Sequence, residues 1–307
     1  MKKYLLPFLL LAILLLAACS NEKSNEAEAK STEGKAETIT YESENGPVEV
    51  PADPQRVIVL STYAGDVMAL DVPLVGVDAW SKNNPRFDKD LANVEEVTED
   101  NLEKIIELEP DLIVGLSTIK NIDKLKEIAP TVTFTYGKVD YLTQHLEIGK
   151  LLNKEKEAQD WITDFQKRAQ QAGDDIRAEI GEDATVSVIE NFDKQLYVFG
   201  DNWGRGTEIL YQEMKLKMPE KVKEMALKDG YYALSQEVLP EYMGDYVIFS
   251  KDSEQDNSFQ ETDLYKNTPA VKNGQVFEAN AKEFYFNDPL TLEYQLEFFI
   301  EKFLGKQ

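Results

Sequence analysis

The chain has 307 residues, with 57 acidic against 33 basic side chains and a formal charge of −24 at pH 7. So acidic a surface argues against nucleic acid as a partner and against lying flat on anionic lipid, both of which are densely negative. One cysteine and one histidine exclude an internal disulfide and a His/Cys metal cluster.

Met1-Lys2-Lys3 is a short positive start, and residues 5–18 are apolar apart from Pro7. That is the layout of a secretory signal. The run is shorter than the about 20 residues a helix needs to cross about 30 Å of hydrocarbon. It ends in Leu16-Ala17-Ala18-Cys19, which resembles a lipobox. The resemblance implies cleavage before Cys19 and a diacylglycerol on its sulfur, with about 0.8 kcal/mol of anchoring per buried CH₂. Residues 1–18 are read as a signal peptide. Residues 20–38 carry no large apolar side chain. They cannot offset their ordering entropy, so residues 19–42 are read as a flexible tether.

From residue 57 short apolar runs alternate with helical patterns. Residues 57–60 read as a buried strand, 63–70 as a short helix, and 74–77 as the next strand. Residues 101–109 place Leu102, Ile105, Ile106 and Leu108 near helical period until Pro110 stops them, and 111–114 follow as a strand. Ile122, Leu125 and Ile128 mark a helix that Pro130 ends, and 131–135 form another strand. Such alternation implies a mainly parallel sheet covered on both faces. Residues 141–152 are helical. Residues 155–180 then run without proline and with one glycine, Gly173, and their apolar positions recur every three or four residues. A helix of that length spans about 39 Å at 1.5 Å per residue, which suits a connecting strut. Beyond it, 184–189, 195–199, 246–249 and 275–277 are strand-like, and 206–214 and 290–304 helical. The layout is α/β: an N-terminal lobe over 43–154, a connecting helix over 155–181 and a C-terminal lobe over 182–307. The two halves also echo each other. Glu103 precedes Asp111 at the same interval as Glu237 precedes Asp245, with Pro110 and Pro240 between.

Enzyme signatures are scarce. His145 lies in a helical pattern and reads as a surface or packed residue. No Gly-x-Ser-x-Gly elbow or Gly-x-x-x-x-Gly-Lys loop occurs. The segment Tyr197-Val198-Phe199-Gly200-Asp201-Asn202-Trp203-Gly204-Arg205-Gly206 stands out, with an aromatic strand leading into a glycine-rich turn. Ligands of α/β sheets bind beyond the carboxyl ends of strands. There Trp203 offers a flat apolar wall and Arg205 a planar array of donors for anionic oxygens. Gly204 and Gly206 permit close backbone approach. Phe284-Tyr285-Phe286-Asn287-Asp288-Pro289 is a second candidate. Its three adjacent rings cannot all face one core, and Asn287 or Asp288 can cap the last helix. Tyr63, Trp80, Tyr136 and Tyr231 lie near the ends of predicted elements, where packing and binding are equally good explanations.

Four segments beyond the lipobox carry a resemblance: Pro54-Gln55-Arg56-Val57-Ile58-Val59, the stretch 103–114, Ile128-Ala129-Pro130-Thr131-Val132, and Asp201 through Gly206. From about residue 47 onward the chain resembles the substrate-binding lipoproteins of iron–siderophore ABC importers. The segments 197–206 and 284–289 resemble ferric-hydroxamate receptors of the FhuD type of Gram-positive bacteria. The resemblance implies two Rossmann-like lobes bridged by a single long α-helix, the class III binding-protein fold, with a shallow cleft between them. It implies a ferric hydroxamate siderophore as ligand, its iron held by six siderophore oxygens, and no cofactor. Arg205 would meet the hydroxamate oxygens; Trp203, Tyr197, Tyr136, Tyr285, Tyr63 and Phe284 would line the cleft. Glu103 and Glu237 would dock, one per lobe, onto a permease dimer with its ATPase. The protein would be a monomer held by its lipid on the extracellular face of the cell membrane. Thr207 stands where a third glycine is common, and Phe284 and Phe286 flank Tyr285, so the ring that meets the ligand stays open. A catecholate or citrate chelate, haem or a corrinoid in the same fold remains an alternative. So does an exported hydrolase or a structural surface protein.

Overall fold

The computed structural model describes residues 37–305. The signal peptide and Cys19 lie outside them. Strands β1 (Thr38–Ser43) and β2 (Gly46–Pro51) pair as an antiparallel hairpin. Residues 38–42, expected to belong to the flexible tether, are strand instead. Tyr41 explains why: its ring is buried, and its hydroxyl donates to Glu147 Oε2 at 3.1 Å.

The N-terminal lobe holds β3 (Val57–Val59), β4 (Leu74–Val77), β5 (Glu95–Glu96), β6 (Leu112–Leu116) and β7 (Thr131–Phe134). They form one parallel sheet in the order β5-β4-β3-β6-β7. The central strands read Val-Ile-Val and Leu-Ile-Val and are buried throughout, as a sheet covered on both faces requires.

The C-terminal lobe holds β8 (Val186–Phe192), β9 (Gln195–Phe199), β10 (Tyr231–Leu234), β11 (Tyr246–Lys251) and β12 (Val276–Asn280), in the order β10-β9-β8-β11-β12. Its sheet is mixed, where a mainly parallel one was expected. β8 pairs parallel with β11 but antiparallel with β9, and β9 antiparallel with β10. The cause is local. Only Asp193 and Lys194 separate β8 from β9, and both have positive φ (47° and 66°). Two such residues suit a primed hairpin turn, whereas a parallel pairing needs a crossover of a dozen or more residues.

The helix Glu155–Ile180 joins the lobes. Its buried stripe changes hands along its length. Ala158 packs into the N-terminal core, while Ile162, Phe165, Ala169, Ala172 and Ile176 pack into the C-terminal one. Gly173 lies against Met214, where an added Cβ would come within 2.5 Å of backbone atoms. The echo noted in the sequence is also structural. Asp111 accepts hydrogen bonds from Gln55 N (2.7 Å) and Arg56 N (3.0 Å), just ahead of β3. Asp245 accepts from Thr185 N and Oγ1 (both 2.8 Å), just ahead of β8. In each lobe the aspartate opening one strand ties down the entry to its neighbour.

Residues 182–307 are not confined to the second lobe. Tyr285, Phe286 and Leu290 pack with the N-terminal core, and Phe286 stacks on Phe87 at 6.0 Å. Asp288 caps the closing helix (Pro289–Leu304) through Leu290 N (3.0 Å) and Thr291 N (3.1 Å). It also lies so close to Gly65 that a side chain there would strike its carboxylate. A buried polar group forms at this crossing. His145 Nδ1 is 3.0 Å from Asp66 Oδ1, its ring set edge-on to Trp161, and burial with the nearby Asp66 pushes Asp288 up to about 7. The lone histidine is therefore a packed residue.

Candidate ligand cleft

The β8–β9–β10 ribbon builds one wall of the site by its two-residue period. The register pairs Glu190 with Tyr197 and Phe199 with Tyr231. Glu190, Phe192, Tyr197, Phe199 and Tyr231 therefore share one face, while Ile189, Leu196, Val198 and Leu234 pack on the other. The first face lines a cleft of about 390 Å³, which Thr62, Trp80 and Tyr136 complete from the N-terminal lobe. Trp80 (49 % exposed), Tyr136 (47 %) and Tyr231 (39 %) are among the few large apolar side chains left open to solvent. Gathered around one cleft, they mark a binding surface.

The rings meet across the lobes. Trp80 stacks on Phe192 at 6.1 Å and stands edge-on to Tyr285 at 5.3 Å. Tyr136 meets Trp203 edge-on at 5.8 Å, and Trp203 lies 4.9 Å from Tyr231. Burial, aided by the Glu208 carboxylate, pushes the Tyr136 hydroxyl up to about 12, so it stays protonated as a donor.

Arg205 is held from several sides. Its Nε and Nη2 donate to the two oxygens of Glu190, both at 3.0 Å, and Nη1 donates to Trp203 O at 3.2 Å. The guanidinium lies 4.9 Å from the Phe199 ring and 4.7 Å from the Tyr285 ring. Glu190 is fully buried and also accepts from Ser250 Oγ. The backbone that delivers Arg205 is unusual, with positive φ at Gly204, Arg205 and Gly206 in succession (68°, 58° and 80°). Arg205 N donates to Phe284 O at 2.7 Å, and a Cβ on Gly204 would meet Tyr285 O at 2.4 Å. Glu208 accepts from Gly204 N (3.0 Å) and Asn287 Nδ2 (2.9 Å) and so pins the turn to the second candidate segment. Thr207, in place of the common glycine, braces the turn by donating to Gly204 O at 2.8 Å. Residues Glu208–Glu213 then form a π-helix rather than the α-helix expected over 206–214.

The structure thus gathers Trp203, Arg205, Tyr197, Tyr136 and Tyr285 around one cleft. Two expectations need correction. Phe284 has no exposed surface; its ring is sealed in the C-terminal core against Tyr294, Phe298 and Phe299, because the short helix Ala281–Phe284 that carries it packs against the closing helix. Tyr63 is buried edge-on against Phe134 and borders a different, larger cavity. Glu190, Phe192 and Phe199 were missed as site residues. For Glu190 the signal was a carboxylate inside the apolar run Val-Ser-Val-Ile-Glu, since a buried charge demands a partner. Neither Glu103 nor Glu237 lines the cleft. Each is exposed in the first turn of a short helix (Leu102–Glu107 and Gln236–Glu241), and neither forms an ion pair among the described residues.

Two α/β lobes joined by one long helix, with a ring-lined cleft between them, define a substrate-binding protein. The chain belongs to the periplasmic binding protein family, which residues 57–283 match. Its relatives include proteins of the FhuD type. It is 37 % identical over 301 residues to the iron(3+)-hydroxamate-binding protein FhuD of Bacillus subtilis, covering 96 % of this chain and 95 % of the relative. The solved FhuD protein of S. pseudintermedius is 35 % identical with a TM-score of 0.79, covering 88 % of this chain and 99 % of that one. FhuD2 of Staphylococcus aureus with bound ferrioxamine B is 34 % identical with a TM-score of 0.78, covering 82 % and 99 %.

Proposed function

We propose that the protein captures ferric hydroxamate siderophores in the interlobe cleft and delivers them to an ABC permease dimer and its ATPase. It does so as a monomer on the extracellular face of the cell membrane, anchored by lipid on Cys19. The iron is cargo, wrapped by the siderophore's own oxygens, and no bond is made or broken in the chelate. The observation that carries this reading is the Arg205–Glu190 pair. Among the described residues lining the cleft these two are the only charged ones, so their formal charges cancel. The iron core of a ferric trihydroxamate is uncharged, because three hydroxamate anions balance Fe³⁺. Its oxygens need donors rather than net charge. Arg205 keeps one N–H on each of Nη1 and Nη2 for them after its protein partners are counted. The rings suit the apolar linkers between hydroxamates. A triply anionic catecholate would approach Glu190 with no second cation to offset it.

Titration of the protein with ferrichrome, ferrioxamine B, ferric citrate and ferric enterobactin, read by tryptophan quenching, tests this. The two hydroxamates are expected to quench; quenching by the anionic chelates alone would sink the reading. Delivery is tested separately. Glu103→Ala and Glu237→Ala are expected to keep the quench and to lose uptake of iron-loaded siderophore in cells. The support for that role is the matching place of the two glutamates ahead of Asp111 and Asp245.

A further inference from the structure

Behind the Tyr136–Trp203 ring pair lies a second cavity of about 1010 Å³, and these two rings border both spaces. Its character is opposite to that of the cleft. Glu213, 7 % exposed, sits among neutral groups. It accepts from the Tyr141 hydroxyl at 3.0 Å and, at the long distance of 3.5 Å, from the amides of Gln166 and Gln170. Among the described residues no lysine, arginine or histidine pairs with it, nor with the neighbouring buried Glu208. The lysines that border the chamber, Lys138, Lys215 and Lys228, are all exposed. Tyr63 and Gln144 also border this chamber, but the Tyr63 hydroxyl and the Gln144 amide nitrogen are shut off from solvent. A buried carboxylate without a cation costs free energy that a matching cation would relieve.

We propose that this chamber receives a cationic arm, a chain ending in a primary ammonium, extending past Tyr136 and Trp203 from a ferric chelate seated in the ring-lined cleft. Glu213 takes the ammonium at the end of the arm. The inference rests on the hydroxamate reading of the cleft and adds a preference among hydroxamates. Linear chelates with a free amine gain over those whose amine is blocked, although the iron cage is the same.

Ferrioxamine B, which carries such an arm, and its N-acetylated form supply the comparison, with ferrichrome as a chelate lacking the arm. Affinities come from tryptophan quenching on the wild-type protein and on Glu213→Gln. The wild type is expected to bind ferrioxamine B about tenfold more tightly than the acetylated chelate, and in Glu213→Gln that ratio falls to about one. Equal affinities in the wild type would overturn the proposal without any variant, as would a tenfold ratio that survives Glu213→Gln. Failure of all three chelates to bind would instead overturn the reading of the cleft, and the chamber's role with it.

Discussion

The two lobes share a plan and differ in what they display. Both hold five-stranded sheets, and both lock a central strand entry with an aspartate, Asp111 in one and Asp245 in the other. In the N-terminal lobe every strand of the five-stranded sheet is parallel, so both sheet faces are core, and only residues beyond the strands, such as Trp80 in a short helix and Tyr136 in a turn, reach the cleft. In the C-terminal lobe the β8–β9–β10 ribbon leaves one edge region uncovered. The face it turns toward the cleft carries Glu190, Phe192, Tyr197, Phe199 and Tyr231. A parallel sheet makes a scaffold; exchanging part of it for an antiparallel ribbon turns one face into a recognition surface.

The largest expected effect breaks the C-terminal side of this comparison. Arg205→Ala removes the donor of the cleft and strands a fully buried carboxylate. It should lower siderophore affinity by more than 100-fold and stability by about 3 kcal/mol, read by titration and urea unfolding. Adding Glu190→Gln should restore most of the stability and little of the affinity. Equal stability of Arg205→Ala and wild type would mean that the pair is not the lock described. Next, Gly173→Val strikes the seam between the strut and the π-helix at Met214, and overpacking there should cost about 3 kcal/mol. An unchanged thermal midpoint would show the seam to be loose.

The crossing at Asp288 should be visible in the pH dependence of stability. Its folded pKa is raised from 3.8 to about 7. The folded state therefore holds a proton that the unfolded chain releases. That contribution is complete below about pH 4 and is lost as pH rises through about 7. Asp288→Asn keeps a capping side chain, so its stability profile should be flatter over that window. A profile parallel to wild type would place the proton elsewhere. The smallest effect belongs to the N-terminal wall. Trp80→Ala removes a half-exposed ring and should cost about 1 kcal/mol of binding, roughly fivefold. A loss as large as that of Arg205→Ala would reverse the ranking of the lobes.

Much of this was legible in the linear chain. Apolar runs located the central strands of both lobes, and the three- and four-residue recurrence over 155–180 located the strut to the residue. Proline and glycine placement bounded the helices. Trp203, Arg205 and Tyr197 stood out because rings, glycines and an arginine in one turn serve no ordinary core. Phe284 and Tyr285 could not be told apart, since adjacent rings differ only in which way the backbone turns each one. Glu190 was invisible as a partner because its arginine lies fifteen residues away, across a hairpin whose pairing is a property of the folded ribbon.

The amino-acid order alone settled the central strands, the strut and the aromatic turn, because hydrophobic period, proline and glycine act within a few residues of themselves. The meeting of Arg205 with Glu190, the return of Phe286 and Asp288 to the first lobe, and the division of the interlobe space into a charge-balanced cleft and an acidic chamber came only with folding. Each depends on distances between residues that register and packing bring together, and no local pattern carries that information.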